Sequence, residues 1–215
     1  MNKTKKKIIL AAIEQFNEHG LSTVRNQDIA KASEVSLSNF NYHFKTKQDL
    51  VYEVCDYMIT VLQDKVYGNK VLMSAEGQSL EITRSYFEFE ETFKFFYLDT
   101  YNILQSYPVL KEGFQDRLNE AILIIKNLNF LAVGRGSMKP EPADMPGLYE
   151  KLAQQIWINN HFWFAQMNIR GETGNTVLRG MESNFAILYP YLTEKGRAAH
   201  RKYIAELKKR GVEEE

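Results

Sequence analysis

Apolar residues recur along the chain at spacings of three and four, and no stretch alternates apolar with polar positions as a half-buried strand would. Ile9, Ala12, Ile13 and Phe16 make one such face, and Gly20 after them is a natural C-terminal stop. A short second helix is expected from Asn26, a good cap, carrying Ile29 and Ala32 inward. Ser36 caps a third helix, with Val35 before the cap and Phe40 at its fourth helical position forming a hydrophobic staple. Thr46-Lys47-Gln48-Asp49 reads as a capping box that opens a fourth helix, whose apolar row Leu50, Val54, Tyr57 and Val61 runs to about Tyr67.

Beyond residue 75 the expected helices lengthen. One or two occupy roughly 78–105, and another spans about 109–133, separated from its predecessor by Pro108. Residues 134–147 hold Pro140, Pro142 and Pro146 with three glycines, which marks a loop. Further helices are expected over 147–170, 174–189 and 193–210, the last two parted by Pro190 and the cap-like Thr193. The fold class is all-α. Three short helices at the start, the second and third joined by about three residues, make a helix-turn-helix of residues 1–48, followed by a larger helical domain over 49–215.

Composition narrows the function. The formal net charge is zero, but residues 1–50 hold eight Lys/Arg against five acids, a net +3 that the remainder balances with −3. A basic head on an acidic body fits a small nucleic-acid-binding unit. The single cysteine, Cys55, lies in an apolar helical pattern and reads as a packed thiol, which fits a reducing cytoplasm. No stretch approaches the ~20 apolar residues of a membrane span. The four histidines are isolated, no phosphate loop or Gly-x-Ser-x-Gly is present, and Gly134-x-Gly136 lacks a third glycine. No catalytic set, metal site or cofactor is implied.

The third helix carries the chemistry. With Phe40 and Phe44 facing the core, Ser38, Asn39 and Tyr42 project outward at about 100° per residue, flanked by Asn41 and His43. Asn pairs with adenine edges, hydroxyls adapt, and Leu37 lies where it can meet a thymine methyl. Lys47 and Lys45 stand just beyond, at the height of phosphates. The candidate DNA-contacting set is Arg25, Asn26, Ser36, Leu37, Ser38, Asn39, Asn41, Tyr42, His43 and Lys47, read against double-stranded DNA.

Residues 9–50 resemble the DNA-binding domain of the TetR family of bacterial transcriptional regulators. The matching residues are Ile9-Leu10-Ala11-Ala12, Phe16, Gly20, Asp28-Ile29-Ala30, Val35-Ser36 and Tyr42-His43-Phe44-Lys45-Thr46-Lys47. The resemblance implies an all-helical homodimer, commonly a repressor, that binds an approximately palindromic operator and is released by a small effector. It also implies that Ser38 and Asn39 lie toward bases, and Tyr42, His43 and Lys47 toward phosphates or bases. The chain departs from the pattern at Glu34, where glycine is usual in the turn, at Ser33, at Val24-Arg25, and at Asn39-Phe40-Asn41 within the reading helix.

The rest is rich in aromatics, which are mostly core in any helical protein but also suit an apolar effector. The face Trp157, His161 and Phe164, with Asn160, Phe93, Tyr97 and Tyr101, is the candidate pocket wall for a largely apolar or aromatic effector. The rows Leu178, Met181, Phe185, Leu188 and Tyr203, Leu207 on the last two helices are the candidate dimer interface, a four-helix bundle between subunits. The alternative is an effector-independent architectural or adaptor protein on DNA, which would lack a cavity. A helical enzyme stands further off, for want of a catalytic set.

Overall fold

The computed structural model describes residues 2–68 and 78–213, for 67, 78 and 210–213 the backbone alone. Eleven α-helices make up these residues, with no strand and one isolated bridge, Met138 to Leu192. The first is α1 (Lys3–His19), capped by Asn2, whose side chain accepts from Thr4 N–H at 2.8 Å, and closed by Gly20 at φ +80°. Next come α2 (Asn26–Ala32), α3 (Leu37–His43) and α4 (Lys47–Val61), whose last turn widens into a π-helical segment, Leu62–Tyr67. The capping box at Thr46 is present: Asp49 N–H donates to Thr46 Oγ1 at 3.1 Å, and Thr46 N–H donates to Asp49 Oδ2 at 2.9 Å.

Residues 78–106 form three helices rather than one or two: α5 (Gln78–Thr92), α6 (Lys94–Leu98) and α7 (Thr100–Ser106). The breaks fall at Phe93 and Asp99, neither glycine nor proline, so no local signal announces them. Pro108 does not merely precede the next helix but is its first residue, where its missing N–H costs nothing, in α8 (Pro108–Gly134). The remaining helices are α9 (Leu148–Ile169), α10 (Thr176–Leu188) and α11 (Glu194–Glu213), with a 3-10 turn at Tyr189–Tyr191.

The proline-rich loop before α9 is pinned to the turn before α11. Thr193 donates from its N–H to Ser137 O (3.1 Å) and from its hydroxyl to Gly136 O (2.7 Å), and Lys139 N–H donates to Tyr191 O (2.8 Å). One buried apolar cluster runs without interruption from Ile8 through Phe40, Phe44 and Val54 to Phe89, Phe96 and Ile103. Head and body therefore share a core along α4, and the packing shows no seam at residue 48. The join is also clasped by Asn17 of α1, whose amide donates to Thr92 O (2.9 Å) while its oxygen accepts from Phe95 N–H (2.9 Å).

Candidate DNA-reading head and effector cavity

The turn between α2 and α3 is built around Glu34, which adopts φ +51° as the one non-glycine in the left-handed region among the described residues. Its carboxylate, fully exposed, meets Lys7 Nζ at 2.6 Å, and that ammonium holds the carboxyl below its ordinary pKa. Ser36 then caps α3, accepting from Asn39 N–H at 3.2 Å, with Val35 packed on the core beside Phe40. Phe40 and Phe44 are buried, as the helical wheel requires. Ser36, Leu37, Ser38, Asn39 and Asn41 are exposed, and Tyr42 is 82% exposed, an extreme value for a large aromatic. His43 is half-buried and meets the Tyr42 ring edge-on at 5.3 Å.

Two flanking residues sit differently from expectation. Asn26 is not the cap of α2 but its first residue, with its side-chain oxygen buried and unpartnered among the described residues. Arg25 occupies the cap position, exposed, with its N–H on Asp28 Oδ2 at 3.1 Å. Lys47 does not extend to solvent. Its ammonium donates to Leu21 O (2.5 Å) and Val24 O (2.6 Å), and burial lowers its pKa. Two carbonyls of the α1–α2 connection hold it because that connection has no regular partners of its own. Lys45, by contrast, is exposed.

In the body, a cavity of about 290 Å³ lies between α4, α5, α6, α8 and α9. Of the expected wall, Tyr97, Trp157 and His161 line it, with Trp157 and His161 stacked at 4.7 Å and 13°. Asn160 instead lines a second, smaller cavity of about 110 Å³, which also takes in Tyr86, Ala121 and Trp157, so the two adjoin. Phe93, Phe164 and Tyr101 line neither. Phe93 occupies the cap position before α6 and packs in the core on Phe89 at 4.9 Å; Phe164 is buried with Phe87 and Met181; Tyr101 is 73% exposed on α7. The sequence pattern overlooked Cys55 and Met58 of α4 and Phe114 and Arg117 of α8. The missed signal was a second apolar row, Cys55 and Met58 on α4 and Leu62 at the start of the π-helical segment, beside the core row.

Burial governs the chemistry of the wall. It pushes the Cys55 thiol up to about 12 and His161 down to about 4, so both are neutral near pH 7. In the wall of the smaller cavity an amide chain joins α9 to α10: Asn159 Nδ2 donates to Asn184 Oδ1 (2.9 Å), and Asn184 Nδ2 donates to Asn160 Oδ1 (2.8 Å). Of the expected interface rows, Met181 is buried in its own subunit's core, so it is withdrawn from the interface. Tyr203 and Leu207 pack on the same cluster, Tyr203 also donating its hydroxyl to Glu81. Phe185 stacks on His200 at 5.0 Å, and Leu188 leans on the cluster around Tyr149. Leu178 is half-buried. Half of the large apolar side chains left exposed among the described residues lie on α8 and α9, among them Leu123, Ile158, Phe162 and Ile169; the others are scattered over α1, α3, α6, α7 and the loops.

An exposed, capped recognition helix on a helical body with an aromatic cavity defines a helix-turn-helix transcriptional regulator. The family comparisons agree: residues 8–54 match the model "Bacterial regulatory proteins, tetR family", and residues 69–200 match "Bacterial transcriptional repressor". The chain belongs to the TetR family. It is 26% identical over 146 residues to YerO, an uncharacterized HTH-type transcriptional regulator of Bacillus subtilis (strain 168), covering 63% of this chain and 49% of that protein. The match thus spans about half the length of that relative. Among solved structures, a TetR-family regulator from Marinobacter aquaeolei VT8 is similar at TM-score 0.80 and 21% identity, over 95% of this chain and 98% of that one. The SmeT–triclosan complex gives TM-score 0.59 at 16% identity (90% and 93% covered); SmeT is the repressor of a Stenotrophomonas maltophilia multidrug efflux pump. The fatty acid degradation regulator FadR from Bacillus halodurans gives 0.66 at 15% (87% and 96% covered). These structural likenesses bear on the fold. No helix among the described residues is long and apolar enough to cross a membrane.

Proposed function

We propose that the protein is a homodimeric repressor of the bacterial cytoplasm, with a reading head at 1–48 and a sensing and dimerising body at 49–215. In this reading, α3 of each subunit enters the major groove of one half of an approximately palindromic operator, and a small, largely apolar or aromatic effector in the larger cavity lowers operator affinity. The observation that carries the reading is α6. Its Phe96 and Tyr97 line the cavity, while the adjoining Phe95 packs its ring on Phe16 of α1 at 5.4 Å and donates its N–H to Asn17. One five-residue helix therefore touches both the ligand space and the head, the physical link that a coupling free energy between two sites requires. The SmeT complex with triclosan supports an aromatic occupant by analogy. The cavity favours this regulator over an effector-independent architectural protein.

Base reading is assigned to Ser38, Asn39 and Tyr42, with Leu37 and Asn41 at the edges and Arg25, Ser36, Lys45 and His43 toward the backbone. Dimerisation is assigned to the exposed apolar face of α8 and α9, including Ile158 and Phe162, joined by the half-buried Leu178 of α10. A gel-shift titration against the promoter beside its own gene tests the head. Asn39→Ala and Tyr42→Ala are each expected to weaken binding to the best site by about tenfold, the range of a lost base contact. Wild-type affinity in both variants would remove α3 from the groove. Phe162→Glu is expected to convert the dimer to monomers in light scattering.

A further inference from the structure

We infer that the cavity ligand is an amphipathic acid: an apolar or aromatic body with a carboxylate that Arg117 holds. The inference rests on the effector reading above and adds the chemical class. Rings of Phe89, Phe96, Phe114 and Trp157 stand in the wall with Met58 and Leu62, and such a surface takes hydrocarbon but has nothing to offer a charge. Arg117 is the exception. It lies on α8, half-buried, at the cavity. Its guanidinium reaches back over Gly113: a Cβ added there would stand 2.7 Å from the Arg117 terminal nitrogen. From there its charge is felt at Cys55 of α4, across the cavity.

Among the described residues, no hydrogen bond or ion pair engages that guanidinium. A cation half out of water beside apolar rings is costly unless it is paired. Two carboxylates of the same helix, Asp116 and Glu120, also border the cavity but are exposed, and neither pairs with it. Deeper in, the other titratable groups facing the space are Cys55, Tyr86, Tyr97 and His161. The cavity interior therefore presents one fixed charge, positive, with planar donors that match a carboxylate's two oxygens. A ligand carrying a carboxylate supplies the missing partner while its hydrocarbon fills the aromatic space. A neutral ligand leaves Arg117 as it is, and a cationic one adds a like charge beside it.

Three probes of one shape separate these cases: 6-phenylhexanoate, 6-phenylhexanol and 6-phenylhexylamine, titrated into the full-length protein at pH 7.5. Quenching of tryptophan fluorescence is the readout, since Trp157 is in the wall. The acid is expected to bind at least tenfold more tightly than the alcohol, and the amine more weakly than either. Arg117→Gln is expected to bring acid and alcohol within about twofold of each other, chiefly by weakening the acid, and Arg117→Lys to restore part of the preference. Equal binding of acid and alcohol by the wild type, or a preference for the amine, overturns the inference while leaving an effector cavity in place. Failure of all three probes to bind, with the fold confirmed by circular dichroism, overturns both the inference and the effector reading.

Discussion

The head and the body are both helical and share a core, yet they treat buried space in opposite ways. In the head, Phe40 and Phe44 are sealed from solvent, helix starts are capped by Ser36 and Thr46, and Lys47 ties a loop down by its carbonyls. In the body, two adjoining cavities lie among the helices. Both regions bury a polar atom with no hydrogen-bond partner among the described residues, the Asn26 side-chain oxygen in the head and, bordering the smaller cavity, the Asn129 amide nitrogen in the body; the body also encloses the Glu90 carboxyl. A surface that reads DNA must hold its side chains within fractions of an ångström, so close packing suits it. In the proposed reading the body senses a ligand, and a sensor needs room, which it keeps by giving up stability.

The sharpest test of that contrast is one substitution made twice. Phe40→Ala is expected to cost about 4 kcal/mol, because the site is closed on all sides and leaves a full cavity. Phe114→Ala, which removes a half-buried ring already facing open space, is expected to cost on the order of 1 kcal/mol. Thermal or urea denaturation measures both. Similar costs at the two positions would mean that the cavity is filled by relaxation in solution and that the contrast is illusory.

The next largest effect is carried by pH. Burial raises the Glu90 carboxyl well above its ordinary pKa, with Tyr86 one turn earlier opposing the shift only in part. A raised folded-state pKa gives stability that is present in full below about 4.5 and lost as pH climbs toward the folded value. Glu90→Gln cannot ionise and escapes that loss. The stability difference between variant and wild type is therefore expected to move in the variant's favour from pH 4.5 upward, by at most about 1.4 kcal/mol per pH unit. His161 and His200, both lowered by burial, weaken the fold in the opposite direction as pH falls, but equally in both proteins. A pH-independent difference would show that Glu90 is ionised in the fold.

How far the sequence reveals these two regions follows the same division. The head was legible because each of its devices is local: a staple, a cap and a capping box are read within five residues of each other. Even there, Lys47 was placed at the phosphates, because its true partners, Leu21 and Val24, lie more than twenty residues away. The body was legible only as helices. Phe93 and Phe96 look alike in the chain, but the break at Phe93 turns the first into core and the second into cavity wall. Aromatic density does not say which ring faces a void, and Arg117 acquires meaning only when its charge is seen to lack a partner.

Within the head, Lys47 and Lys45 differ in the same way as head and body do. Lys47→Met strands two part-buried carbonyls and is expected to cost about 2 kcal/mol of stability. Its effect on the salt dependence of DNA binding should be small. Lys45→Ala is expected to leave stability unchanged and to flatten the plot of log affinity against log salt by about one phosphate contact. If the two slopes exchange roles, Lys47 leaves its carbonyls on the operator.

The smallest effect belongs to the turn. Glu34 holds φ +51°, where a side chain strains the backbone and glycine does not. Glu34→Gly relieves that strain but gives the unfolded chain more freedom and removes the ion pair with Lys7. The pair lies at the surface and contributes little, so Lys7→Ala should leave the melting temperature unchanged. Strain relief then outweighs the entropy, and Glu34→Gly is expected to raise the melting temperature by a few °C. A fall in the Gly variant, with no fall in Lys7→Ala, would mean that the left-handed turn is held by the side chain and not merely tolerated. The head would then keep one strained position of its own, and the contrast with the body would be one of degree.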